Sequence, residues 1–217
     1  MKRLFDIICS SIALLLFLPL GLVIALILKF TGEGEIFFTH NRVGKDSKIF
    51  GLIKFASMLK DSPNLLTGDI TVGSDPRVLP FGKFLRKTKL NEVAQILNIL
   101  KGDISIVGPR PLTPKNFAFY PEEIQKEIIK MTPGLTGVGS IVFRDEESII
   151  SNSKKTYIDC YREDIAPYKG RLEIWYMNNR SFWLDLKLIF LTAWVIFFPQ
   201  SKIYEKVLKG LPDRSEV

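Results

Sequence analysis

The chain has 217 residues, a formal net charge of +7 and 47% hydrophobic residues, with a pI near 9.3. Basic and greasy together point to an anionic membrane surface or a phosphorylated substrate and away from nucleic acid. Cys9 and Cys160 lie far apart, which argues against a disulfide framework and for chemistry on the reducing, cytoplasmic side. No zinc-type cysteine cluster, P-loop or Gly-x-Gly-x-x-Gly is present, and the single histidine, His40, carries no assigned role.

After a short charged start, MKRLFD, residues 7–28 are apolar apart from Ser10 and Ser11 and hold no charge. As a helix this run is about 33 Å long, the thickness of a hydrocarbon core. A cleaved signal peptide fits worst, since no small-x-small site ends the run. Two readings stay open: a simple span, and a kinked re-entrant helix that enters and leaves on one face. Pro19, with Gly21 close behind, removes a helical hydrogen bond just past the middle. Lys2 and Arg3 before the run and Lys29, Arg42 and Lys45 after it make both flanks basic, the mark of the cytoplasmic side.

A Gly/Glu-rich turn at 31–35 leads to strands predicted over 36–39 and 48–55, joined as a hairpin through Arg42 to Lys45. Residues 61–75 read as loop. Residues 77–86 form a basic segment with Phe81, Phe84 and Leu85 on one face, either a membrane-surface helix or an ordinary core-facing one. Further on, 122–131 is a charged amphipathic helix and 132–137 a turn-rich loop. The acids Asp145, Glu146 and Glu147 are either metal ligands or a solvated charge run. Helices follow at 157–164 and 169–179, separated by Pro167. In 184–199 the uncharged part is too short to span; with Trp183 and Trp194 it is either an interfacial helix or a core helix. No internal repeat is visible.

The stretch RKTKLNEVAQILNILKGDISIVGPRP, residues 86–111, is the densest in chemistry. Arg86, Lys87 and Lys89 precede Asn91-Glu92, and Val93, Ile96, Leu97 and Leu100 recur at helical spacing. Gly102 after Lys101 marks a C-terminal cap. A short strand, 104–107, then delivers Gly108-Pro109-Arg110-Pro111. Asn91 and Glu92 read equally as a helix start, since Asn caps and an early acid offsets the dipole, or as part of a reaction centre. Arg110, stiffened by two prolines, suits bidentate phosphate recognition.

Together these pieces resemble the bacterial sugar transferase family, the monotopic polyprenyl-phosphate phosphoglycosyl transferases. The resemblance runs over nearly the whole chain: Lys2 to Asp6, Pro19, Asn41-Arg42-x-Gly44, Lys54-Phe55-x-x-Met58, Leu90 through Pro111, Pro133 to Gly137, and Tyr176, Ser181, Asp185, Leu186 and Thr192. It implies a helix-rich α/β fold, with residues 1–30 a kinked re-entrant membrane helix bent at Pro19 and residues 31–217 a catalytic domain on the cytoplasmic face of the bacterial inner membrane. It also implies transfer of a phospho-sugar from a UDP-sugar to polyprenyl (undecaprenyl) phosphate, with release of UMP and Mg²⁺ as cofactor. The implied partners are these two substrates and membrane lipids, with a homodimer left open and no nucleic acid.

In that family an adjacent Asp-Glu pair is catalytic, the Asp forming a covalent phospho-sugar intermediate. Here the pair reads Asn91-Glu92, and a carboxamide cannot act as a carboxylate nucleophile. The resemblance makes Asn91 and Glu92 the catalytic positions, with Glu92 also the metal ligand. Arg110 becomes the diphosphate contact, with Arg86 and Lys54 as charge stabilisers. Three outcomes follow from Asn91: attack by Glu92, direct displacement by polyprenyl phosphate, or a catalytically silent member that binds lipid or nucleotide. Ala56, Leu18, Ala94 and the segment 138–141 also depart from the family pattern.

Overall fold

The structure, a computed structural model, describes residues 1–65, 75–198 and 200–214. The chain falls into two compact units: residues 1–42 with 50–103, and residues 43–49 with 104–217. Most of the loop call at 61–75, along with Pro199 and the Glu147 side chain, lies outside the described residues.

The first unit begins with one continuous helix, α1 (Lys2–Lys29), which carries Pro19 inside it. By length and composition it is apolar enough to cross a membrane. Its outward faces are greasy, with Leu15 and Leu16 each 72% exposed. Only Asp6, Ser10, Ile24 and Leu28 of this helix are buried. Strands β1 (Phe37–Val43) and β2 (Ile49–Phe55) pair as the expected hairpin. Ile24 and Leu28 join Phe55, Leu85 and Ala94 in one hydrophobic cluster, against which Ile36, Ile53, Phe81 and Leu90 pack.

Helix α2 (Pro80–Lys87) starts on a proline that pre-sets its first turn. It packs so closely that a Cβ on Gly82 would run into the Ser57 carbonyl. The basic segment expected over 77–86 therefore divides. Arg77 stands outside the helix and is 2% exposed. It grips Asp75 bidentately, with Nε to Oδ1 at 2.9 Å and Nη2 to Oδ2 at 2.6 Å. Its Nη1 donates to the carbonyls of Ser62 at 2.7 Å and Leu65 at 3.0 Å. Arg77 is thus a buried staple, because a guanidinium out of water needs all its donors answered. The helix proper keeps Phe84 exposed and Leu85 in the core.

A 3₁₀ turn (Leu90–Gln95) then leads into α3 (Ile96–Lys101), which ends on Gly102 in the left-handed conformation at φ 97°. That cap is the one expected from the sequence.

The second unit is built on β3 (Ser105–Val107) and β4 (Gly134–Thr136), paired in parallel with Ser105 opposite Gly134 and Val107 opposite Thr136. The expected strand at 104–107 is present, but the expected loop at 132–137 contains its partner. A three-residue strand that begins on Gly134 and is followed by Gly137 gives no alternation to read. Gly134 is required there, since a Cβ would strike the backbone of Gly108. The crossover between these strands contains α4 (Pro114–Phe117), capped by Thr113, and α5 (Glu122–Ile128). The hairpin tip joins this unit, Val43 N–H donating to the Leu112 carbonyl at 2.9 Å and Asp46 N–H to the Ile129 carbonyl at 2.7 Å.

Beyond β4 come α6 (Val138–Val142), α7 (Glu146–Asn152), α8 (Tyr157–Asp159), a π turn (Cys160–Ile165), α9 (Ala166–Asn179), α10 (Phe182–Phe197) and α11 (Ile203–Val207). Pro167 sits in the first turn of α9, where its missing N–H costs nothing, so the two expected helices run together through the π turn. Helix α10 puts one face into the core and leaves aromatic residues outside it. Leu188, Leu191 and Val195 are buried, while Trp183, Phe190 and Phe197 are 73%, 58% and 78% exposed. It is tied down by Tyr176 Oη to Asp185 at 2.6 Å and by Thr136 to Thr192 at 2.5 Å. Both cysteines are free thiols.

Candidate active site

Asn91 does not cap a helix. The residue before the 3₁₀ turn is Lys89, a non-glycine at φ 60°, and α3 starts five residues after Asn91, behind Gln95. Lys89 accepts the Glu92 N–H at 3.0 Å, which closes a tight turn over 89–92. The turn swings Asn91 inward, to 4% exposure. Its Oδ1 is buried without a hydrogen-bond partner among the described residues. A buried acceptor left unanswered costs roughly 1–3 kcal/mol, so the helix-start reading does not account for Asn91.

Glu92 points the other way, to the rim. Its carboxylate meets the Lys54 ammonium of β2 at 3.3 Å, each side chain 21% exposed. Arg86, on α2, is half-buried and reaches Met58 Sδ at 3.6 Å. One core cluster explains this convergence. Phe55, Leu85 and Ala94 pack together, and each is one or two residues from Lys54, Arg86 or Glu92. Burial of the apolar neighbours thus brings charged side chains from β2, α2 and the 3₁₀ turn to its edge.

Sequence reasoning missed what aligns this edge. Asn98, fully buried, uses its whole amide. Oδ1 accepts the Ile53 N–H at 2.9 Å, while Nδ2 donates to the Gly51 carbonyl at 2.8 Å and to Asp103 at 2.9 Å. Lys54 follows directly on Ile53, so this amide fixes β2 against α3 and sets the Lys54–Glu92 distance. An asparagine inside the apolar ladder 93–100 is the only sequence signal for it.

Arg110 belongs to the second unit. The turn that carries it is held by Gly134 N–H to the Pro109 carbonyl at 2.8 Å and Gly108 N–H to the Thr136 carbonyl at 2.9 Å. Its guanidinium reaches the Ser140 hydroxyl at 3.4 Å and its backbone N–H faces Glu173 Oε1 at 3.5 Å. Glu173, on α9, is 1% exposed. Burial pushes its carboxyl up to about 7, against the pull of the Arg110 and Gly139 backbone amides and of Lys169. Lys169 is itself buried, paired with Glu146 and stacked over Phe143 at 5.6 Å. The acid run at 145–147 thus supplies a structural ion pair. Among the described residues no three His, Cys, Asp or Glu side chains converge as a metal site.

The Asn98 amide generates a direct prediction. Asn98→Ala strands an amide, a carbonyl and a carboxylate, and lowers stability by about 2–4 kcal/mol. Asn98→Asp, which removes the donor and sets a second carboxylate beside Asp103, does no better. Thermal melts of the solubilised protein check this; a loss below about 0.5 kcal/mol for Asn98→Ala contradicts it.

Comparison with known proteins completes the description. The family model described as bacterial sugar transferase matches residues 1–199. An undecaprenyl-phosphate galactose phosphotransferase of Salmonella typhimurium is 32% identical over 90% of this chain and 40% of its own length. A UDP-glucose:undecaprenyl-phosphate glucose-1-phosphate transferase of Klebsiella pneumoniae is 36% identical over 92% of this chain and 41% of its own. The exopolysaccharide production protein ExoY of Rhizobium meliloti is 32% identical over 88% of this chain and 83% of its own. The chain thus spans about two fifths of the length of the first two and most of the third. On a match that covers the 3₁₀ turn, the arginine turn and α1 alike, this chain belongs to the bacterial sugar transferase family.

Proposed function

We propose that the protein transfers a phospho-sugar from a UDP-sugar to polyprenyl (undecaprenyl) phosphate and releases UMP. The observation that carries this is the Lys54–Glu92 pair beside the buried, unanswered Asn91, in a chain whose relatives are named for this transfer. Arg110, on its braced turn, takes the diphosphate as a fork of donors. Lys54 and Arg86 offset charge that develops on the phosphoryl oxygens.

A terminal oxygen of the polyprenyl phosphate attacks the β-phosphorus of the UDP-sugar. The bond from that phosphorus to the bridging oxygen breaks, and the bridging oxygen leaves on UMP. One P–O bond forms and one breaks, with no proton transferred. Direct displacement is the reading adopted, because Asn91 cannot be the nucleophile and Glu92, paired with Lys54 through one oxygen, is kept for the metal-bound diphosphate.

The donor set fits Mg²⁺ as a substrate-borne ion, because Mg²⁺ accepts one or two protein carboxylates and takes its other oxygens from phosphates and water. Glu92 would hold it, with substrate phosphates and water as the other ligands. The ion supplies charge neutralisation of the diphosphate when bound.

Residues 1–30 act as a re-entrant membrane helix and residues 31–217 as the catalytic part on the cytoplasmic face of the inner membrane. What supports re-entry is that both ends of α1 are held by one short piece of chain. Arg3 donates to the carbonyls of Ile99 and Leu100, while Ile24 and Leu28 share a cluster with Ala94. A straight helix carries Arg3 and Ile24 about 30 Å apart, whereas Ala94 and Leu100 are separated by about 10 Å along the chain. Pro19 is the place for the bend.

Two experiments test these readings. With UDP-galactose or UDP-glucose, UMP release requires both Mg²⁺ and undecaprenyl phosphate, and Glu92→Gln and Arg110→Ala each lower it at least about 100-fold; wild-type rates in both variants sink the assignments. Membrane-impermeant labelling of cysteines placed at positions 2 and 40 modifies both from the cytoplasmic side; labelling from opposite sides rules out re-entry.

A further inference from the structure

Glu173 is a buried acid that the transfer reaction does not use. It lies in the buried stripe of α9 with Ala166, Leu172 and Tyr176, where an apolar residue would satisfy the core. Space has been made for it: a Cβ on Gly139 would collide with its Oε1. That oxygen faces the Arg110 N–H, while Oε2 is buried with no hydrogen-bond partner among the described residues. The carboxyl also lines a recess with Arg110, Pro109 and Tyr120.

We propose that Glu173 is a positioning residue for the arginine turn, whose buried carboxyl braces the Arg110 backbone and sets the net charge that a bound diphosphate meets. This rests on the reading of Arg110 as the diphosphate contact.

The groups around Glu173 are few. Arg110 faces it from the turn after β3, Lys169 and Tyr176 from α9 itself, and Tyr120 from the segment before α5. Helix α6 contributes the Gly139 amide, with the Ser140 hydroxyl bound to Arg110. Glu146 of α7 is taken up by Lys169. Burial pushes the phenols of Tyr120 and Tyr176 up, so both stay neutral near pH 7 and Glu173 is the group that titrates.

The signs follow. Its folded value, about 7, lies above the ordinary 4.5, so its ionisation is disfavoured in the folded chain. Its stabilising contribution is complete below about pH 4.5 and is lost as pH rises through 7. Ionised, it cancels part of the Arg110 charge and weakens the hold on a diphosphate. Protonated, it leaves that charge whole. A bound diphosphate reciprocally raises the Glu173 value.

The test measures UDP-glucose affinity of the solubilised full chain at pH 6 and pH 8, a range over which its two phosphodiester charges are constant. The native protein binds roughly two- to fivefold more weakly at pH 8, as expected over this range for coupling of about half to one pKa unit. Glu173→Gln, which keeps the acceptor but not the charge, removes this dependence and flattens the fall in melting temperature over the same range. Glu173→Asp keeps the pH dependence and binds more weakly. Native and Glu173→Gln profiles that coincide, with Arg110→Ala abolishing binding, overturn the role of Glu173 and leave that of Arg110 intact. Unchanged binding by Arg110→Ala overturns both.

Discussion

One side-chain amide governs the geometry of the first unit. Asn98 is fully buried and gives its oxygen to the backbone of β2 and its nitrogen to that strand and to Asp103. A hydrogen bond buried this deeply contributes modestly when made and costs heavily when broken. Around it, β2 has one register relative to α3, and Lys54 has one place to go. The 3₁₀ turn before α3 then presents Glu92 to that lysine and turns Asn91 into the interior. The Arg3 guanidinium reaches the carbonyls at the C-terminal end of the same helix, so the apolar helix α1 and the candidate site share a single support.

The second unit solves a related problem with opposite means. Its arginine is carried on a turn between prolines and braced by a parallel pair of three-residue strands too short to be stable alone. Helix α9 supplies the support, with Lys169 and Glu173 set into its buried stripe. Lys169 is answered by Glu146 and two aromatic rings. Among the described residues Glu173 is answered by backbone amides and by charge, and burial leaves its carboxyl poised near neutrality. Buried charges of this kind add little stability. Glu173 meets the Arg110 backbone N–H, and Lys169 ties α9 to α7 through Glu146.

Much of this was legible in the residues. The Gly102 cap, the strand at 104–107 and the apolar helices α1 and α10 follow from local pattern. The elements that local pattern left open or misplaced depend on partners it does not name. Arg77 looks like part of a basic face until its chain neighbours Asp75, Ser62 and Leu65 surround it. Residues 134–136 look like a turn because the hydrogen bonds that make them a strand come from residues around 105–109. Asn91 looks like a cap because Asn usually caps; only the left-handed Lys89 and the 3₁₀ turn reveal that it does not. Asn98 and Glu173 were visible only as polar residues in apolar stripes, a signal that marks a buried polar role without naming the partner.

The most direct test of the central claim, phosphoryl transfer without a side-chain nucleophile at residue 91, is intact-mass measurement after mixing with UDP-galactose or UDP-glucose in the absence of polyprenyl phosphate. Native protein keeps its mass and releases no UMP until undecaprenyl phosphate is added, whereas Asn91→Asp gains the mass of one phospho-sugar. A phospho-sugar adduct on the native chain, lost in Glu92→Gln, contradicts direct displacement and assigns the nucleophile to Glu92.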